Sequence, residues 1–150
     1  MPTPLAAGTC RCGNTRIEIS APPVMTAACH CRGCQKMSSG AFSLTAMIPA
    51  GAFRVVGGEP VRGGIRGPQL DHRFCPDCMT WMFTRIAGMD HLVNVRPTMF
   101  DIAEWTVPFV ETMTAEKLPW ATTPARRSYK AFPPEEDFPA LLSEFAAERG

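Results

Sequence analysis

A small, mainly β fold with one C-terminal helix is what this sequence predicts, and three observations predict it. Apolar residues come in short runs, some alternating with polar ones at the two-residue period of a half-buried strand. The 15 prolines and 12 glycines interrupt those runs often, which favours strands and turns over long helices. Only near the end of the chain does a helical period appear. At 150 residues the chain is expected to form one domain, 1–150, long enough to bury a core, and its 45% hydrophobic content is ordinary for a globular protein.

The elements follow in order. Thr15-Arg16-Ile17-Glu18-Ile19 alternates as a half-buried strand, broken by Ala21-Pro22-Pro23. Val24 to Ala28 leads into a cysteine cluster. Ala41 to Ile48 reads as a strand ended by Pro49, and Phe53-Arg54-Val55-Val56 as another, closed by Gly57-Gly58-Glu59-Pro60. Val61 to Pro68, rich in Gly and Arg, reads as a loop. Gln69 to Phe74, Trp81 to Ile86, Leu92 to Val95 and Val107 to Val110 are further strands. Lys117 to Pro134 is mostly irregular. The helix is expected at about 135–148, because Phe138, Leu141, Leu142 and Phe145 fall at i, i+3, i+4 and i+7, with acidic residues near its positive end. Its apolar face is expected to cover the core of the same chain.

Net charge is +1 with no run of like charges, so there is no electrostatic footprint for nucleic acid or an acidic membrane. No run is long enough to span a bilayer, and Met1 to Gly8 lacks the basic start and apolar stretch of a signal peptide. A reducing, cytoplasmic setting is the expectation.

The seven cysteines carry the chemistry. Cys29-His30-Cys31-Arg32-Gly33-Cys34 holds three thiols in six residues. Thiolates sharing a tetrahedral zinc sit about 3.7 Å apart, since Zn–S is about 2.3 Å. A Cys-x-x-Cys knuckle turns the chain around the metal, a turn that Gly33 is expected to ease. No fourth ligand of the usual kind follows nearby, and three protein ligands with one position unfilled is the arrangement of a reactive zinc. Cys10, Cys12, Cys75 and Cys78 pair a Cys-x-Cys with a distant Cys-x-x-Cys, which suits a closed four-thiolate site joining remote segments. The alternatives are an iron–sulfur cluster, whose usual spacings differ from these, disulfides, which an odd count disfavours, or unligated core thiols.

With these motifs quoted, a resemblance can be stated. Gly8-Thr9-Cys10-Arg11-Cys12-Gly13, Cys29-His30-Cys31-Arg32-Gly33-Cys34-Gln35-Lys36, Ser39-Gly40-Ala41-Phe42, Arg73-Phe74-Cys75-Pro76-Asp77-Cys78 and Lys117-Leu118-Pro119-Trp120 together resemble the glutathione-dependent formaldehyde-activating enzymes. The resemblance covers about 5–121, leaving the helix as a C-terminal extension. It implies an Mss4-like, β-rich fold stapled by two zinc ions. Cys10, Cys12, Cys75 and Cys78 would be the structural ligands, and Cys29, Cys31 and Cys34 those of the catalytic zinc. It also implies a carbon–sulfur lyase activity, the condensation of formaldehyde with glutathione, although relatives such as the centromere protein V group share the domain without an assigned reaction. One departure stands out: the family's second knuckle commonly reads Cys-Gly-x-Cys-Gly, where this chain has Cys75-Pro76-Asp77-Cys78-Met79. Pro76 has no N–H to give to sulfur, and Met79 would bear a steric cost where Gly adopts φ > 0.

Other residues have weaker claims. Three thiolates on Zn²⁺ carry a net charge of minus one, and a fourth makes minus two, which favours a neutral ligand such as water or a thiol unless cations sit close by; Arg32, Lys36 and Arg73 are the local candidates, with an ordinary solvated side chain the plainer use of each. His30, between two ligands, is either structural or a proton shuttle or fourth ligand, and nothing ties His72 or His91 to the metal. Trp120 and Lys117 could line a pocket, with core packing the plainer use of Trp120. The competing functions are an enzyme acting on a thiol–aldehyde adduct, a non-catalytic zinc module that binds a thiol or a protein partner, a zinc-ribbon interaction domain, and a thiol redox enzyme. The last needs a free nucleophilic cysteine, and zinc claims all seven.

Overall fold

The computed structural model describes residues 3–149, in which strands fall into two sheets. The smaller has β1 (Ala6–Thr9), β2 (Arg16–Ile19) and β5 (Phe53–Gly57) side by side and antiparallel. The larger runs β11 (Arg127–Ser128), β10 (Val110–Thr112), β3 (Met25–Cys29), β4 (Ser43–Pro49), β9 (Leu92–Val95), β8 (Trp81–Ile86), β7 (Leu70–Phe74) and β6 (Val61–Gly63). Its pairs are antiparallel except for β10, which runs parallel to β3 and β11.

Alternation along the strands sorts residues between two faces of the large sheet. Ala46, Ile48, Phe83, Val93 and Val95 point inward and pack on Ile17, Ile19 and Phe53 of the small sheet, forming the main core. The opposite face carries the cross-strand pairs Cys29–Ser43, Ala27–Thr45, Met25–Met47, Met47–Asn94, Asn94–Thr84 and Thr84–His72. At the Met25 end of β3 this face is covered by α2 (Phe138–Arg149), whose Leu141 and Phe145 pack with Met25, Phe109 and Val110. Each side chain so buried stabilises the fold by about 1.5–3 kcal/mol. The expected helix and its burial against the chain's own core are therefore present, with a 3₁₀ turn at Glu135–Asp137 leading in. At the Cys29 end the face is occupied by α1 (Arg32–Ser38) instead.

Several expectations need correction. α1 is absent from the sequence reading because seven residues with no buried position carry no apolar period. The lead-in Val24 to Ala28 is mostly strand β3, and the first three residues of the expected loop 61–68 pair with β7 as an edge strand. The strand expected at 107–110 lies at Val110–Thr112, as Pro108 cannot donate to a ladder. No helix among the described residues is long and apolar enough to cross a membrane.

Candidate metal centres

Two tight turns in different sheets build the first cysteine group. Cys10 and Cys12 lie in the β1–β2 connection, where Gly13 takes φ 83° and its N–H bonds the Cys10 carbonyl. Cys75 and Cys78 lie in the β7–β8 connection. The four sulfurs all fall within 4.8 Å of one another. The Cys10–Cys12 and Cys12–Cys75 separations are 3.6 and 3.8 Å, against about 3.7 Å for thiolates on one tetrahedral zinc. This donor set fits zinc. Cys10 and Cys75 are buried, whereas Cys12 is exposed. Thr15 N–H approaches Cys10 Sγ at 3.3 Å, and Asp77 N–H approaches Cys75 Sγ at 3.4 Å. The departure at Pro76 is thus absorbed, because the next residue supplies the donor. Met79 does adopt the left-handed region, at φ 59°. A hydrogen bond from the Thr80 hydroxyl, 3.1 Å from Cys78 Sγ, holds that thiol down to about 5.

The second group sits where β3 runs into α1. Cys29 ends the strand, Cys31 is the N-cap of the helix and Cys34 lies in its first turn. Cys31 Sγ accepts the Cys34 N–H at 3.2 Å, as a capping side chain does. The knuckle is therefore a helix start. Gly33 has no left-handed conformation to supply, and a Cβ there would meet only Cys31 Sγ at 3.8 Å, so the easing expected of it is not needed. The three sulfurs lie within 4.8 Å of one another, all half-buried, and no fourth His, Cys, Asp or Glu completes the group among the described residues. This donor set also fits zinc, with one ligand fewer. The hydrogen bond between the Cys34 and Cys29 thiols holds Cys29 down to about 5 and, with burial, pushes Cys34 up. The Thr112 hydroxyl also lowers Cys29, and that of Ser43 works against the rise at Cys34.

His30 points elsewhere. Its ring is fully buried, with Nε2 2.8 Å from Glu111 Oε1 on β10 and its edge against Phe42. Glu111 also accepts from Ser128 at 2.6 Å and Thr123 at 3.1 Å. Burial works against its ionised form, but the bonds from Ser128, His30 and Thr123 outweigh it and leave the carboxyl below its usual range. His30 thus ties the cysteine loop to β10, and neither ring nitrogen joins the sulfur group.

Of the expected cations, Arg32 and Lys36 are exposed, and Arg73 is held by both oxygens of Asp71 at 2.9 and 3.1 Å. A buried cation on the sheet face that carries Cys29 is Arg96, just past β9. It is 8% exposed and lies 4.2 Å over the Trp81 ring; burial lowers its pKa to about 10, against the raising influence of Cys34 and Cys29. A lone charge between the apolar run 92–95 and Pro97 was the signal available in the sequence. His72 lies beside it, buried, with Nδ1 2.8 Å from Thr84 Oγ1 and its ring edge-on to Trp81. Burial, and then the charge of Arg96, lower its pKa. His91 is exposed. Trp120 is 73% exposed and not a core residue: the Leu118–Ala121 turn carries it outward. Lys117 is half-buried at the end of the neighbouring 3₁₀ turn. That segment does reach the site, since Gln35 Nε2 bonds the Glu116 carbonyl and Glu116 Oε1 accepts the Arg32 N–H.

The fold resembles that in a crystal structure of a Rhodobacter sphaeroides protein solved as a structural-genomics target. The match has a TM-score of 0.51 and 22% identity, covering 64% of this chain and 88% of the other. Comparison with curated proteins gave no match. The family model for the glutathione-dependent formaldehyde-activating enzyme matches residues 5–116, a span holding all seven cysteines. On that match, the chain belongs to the glutathione-dependent formaldehyde-activating enzyme family.

Proposed function

We infer that the protein is a zinc-dependent carbon–sulfur lyase-type enzyme that forms or cleaves the S-hydroxymethyl adduct of a small thiol, such as glutathione, with formaldehyde or a related aldehyde. The observation that carries this reading is the three-sulfur group, a ligand short, in a chain of this family. Cys29, Cys31 and Cys34 would hold the catalytic zinc, and Cys10, Cys12, Cys75 and Cys78 a structural one. The same zinc-binding chemistry suits a reducing, cytoplasmic setting that keeps all seven thiols available.

In the forming direction the thiol sulfur bonds to the carbonyl carbon. The carbonyl π pair moves to oxygen, which takes up the proton the thiol has lost. Cleavage is the reverse. When bound, the zinc supplies an ionised thiol at neutral pH. That contribution is bounded, because a thiol of pKa about 8.5 is already about 3% ionised at pH 7. Full ionisation gains about thirtyfold at most, less a loss of nucleophilicity along a Brønsted slope of about 0.4–0.5. The chain itself must supply the rest by holding thiol and aldehyde together. The His30–Glu111 pair and the Gln35 and Glu116 contacts fix the loop that carries the sulfurs.

Titration of cobalt-substituted protein with glutathione, alongside the rate of adduct formation from formaldehyde, tests this. A shifted cobalt spectrum and a rate above the uncatalysed one are expected. Binding without acceleration would favour the non-catalytic module, and no spectral response would remove the open-centre reading.

A further inference from the structure

We propose that Arg96 is the buried counter-charge that lets the three-cysteine centre take an anionic sulfur as its fourth ligand in preference to a neutral one. The proposal rests on the open-centre reading above. A zinc ion held by three thiolates carries a net charge of minus one, so an incoming thiolate adds charge where water or imidazole does not. A half-buried site favours the neutral ligand unless a cation is built in.

The structure builds in one. Arg96 lies one residue beyond the Ala46–Val95 pair, which sets it across β4 near Thr45, on the face that carries Ser43 and Cys29. It is 8% exposed, yet no carboxylate pairs with it among the described residues. Among the described residues its Nε has no hydrogen-bond partner, and its one side-chain contact to an acceptor is a long 3.5 Å approach to the Asn94 carbonyl. A desolvated guanidinium left this way is strongly unfavourable unless an anion lies close. The sulfurs of Cys29, Cys31 and Cys34, grouped at the end of β3 on that face, are the candidate anions. Trp81 fixes its plane from one side, stacking at 4.2 Å while its own Nε1 donates to Thr84 Oγ1 at 3.0 Å. The β-bulge opposite Arg73 and Phe74 shifts the register at that point of β8. The guanidinium is thus held on the face that carries Cys29, with donors unspent.

The test uses the full chain, cobalt-substituted at the three-cysteine centre, titrated separately with glutathione and with imidazole and read by the visible spectrum. Arg96→Met, which keeps much of the volume, is expected to weaken glutathione binding by about 10- to 100-fold, the effect of removing one nearby charge from a buried site. Imidazole binding should stay within about threefold of wild type, a neutral ligand being nearly indifferent to that charge. Arg96→Lys, which keeps the charge and is the variant to use if the Met protein does not fold, should hold glutathione within about tenfold while losing the planar stack. Equal losses for both probes, or no loss with Arg96→Met, would overturn the proposal and leave the open centre intact. Wild-type protein that responds to neither probe would remove the open centre and this inference with it.

Discussion

Serine at Cys75 and serine at Cys31 each delete one sulfur, yet the structure makes their consequences unequal. Cys75 is fully buried, and its group joins the β1–β2 turn of one sheet to the β7–β8 turn of the other. Structural zinc bound to such a set contributes an apparent ~10–16 kcal/mol, comparable with the whole stability of ~5–15 kcal/mol typical of a domain. Losing it should leave the two sheets with too little to hold them together. Cys31 sits at the surface end of β3, where its sulfur caps a seven-residue helix. That helix stays tied by Gln35 Nε2 to the His30 carbonyl at 2.8 Å and by its first N–H to Glu116 at 2.9 Å. Loss of the cap and some local order should cost about 1–3 kcal/mol. Cys31→Ser is therefore expected to unfold cooperatively in urea and to bind one zinc by atomic emission. Cys75→Ser should show no cooperative transition at 25 °C. A Cys75→Ser protein with a near-wild-type urea midpoint would refute the stapling role of the first group, and a Cys31→Ser protein that is equally unfolded would refute the separation of the two.

Three further outcomes are expected. Met79→Gly relieves the left-handed strain, about 1–2 kcal/mol, at the loss of about 0.5–1 kcal/mol in chain entropy; thermal melting should rise by about 1–3 °C. Glu111 has a folded pKa below its unfolded one, so its contribution is present above the unfolded value and disappears as pH falls through the folded value. The gap in urea stability between wild type and Glu111→Gln should therefore narrow as pH drops from about 6 towards 3. Trp120→Ala should change urea stability by no more than about 0.5 kcal/mol, since the ring packs on no core.

Much of this was legible from local pattern. The alternating run marks β2, short runs between turn residues mark β4, β5, β7, β8 and β9, and the i, i+3, i+4, i+7 spacing marks α2. Cysteine spacing separated the two groups correctly because a metal draws its ligands from short turns. What the spacing leaves out is set by register between strands remote in sequence. Arg96 shares a face with Cys29 only because β9 lies next to β4, and Glu111 meets His30 only because β10 runs parallel to β3. Arg32 and Lys36, nearer in sequence to a cysteine, are solvent-exposed, and Arg73 is engaged by Asp71. α1 escaped notice because its defining event is a sulfur accepting one backbone N–H, for which composition leaves no trace.

The wide spacing of the first group has a bearing on biosynthesis. Cys12 and Cys75 are 63 positions apart, so a ribosome releases Cys10 and Cys12 long before their proper companions exist. Meanwhile Cys29, Cys31 and Cys34 have emerged, and shorter loops close at lower entropic cost. A metal ion captured at that moment meets a mixed set of nascent thiols, and reaching the finished arrangement then requires ligands to be exchanged. A metal ion filling the four-sulfur group would have to wait until Cys78 has been made.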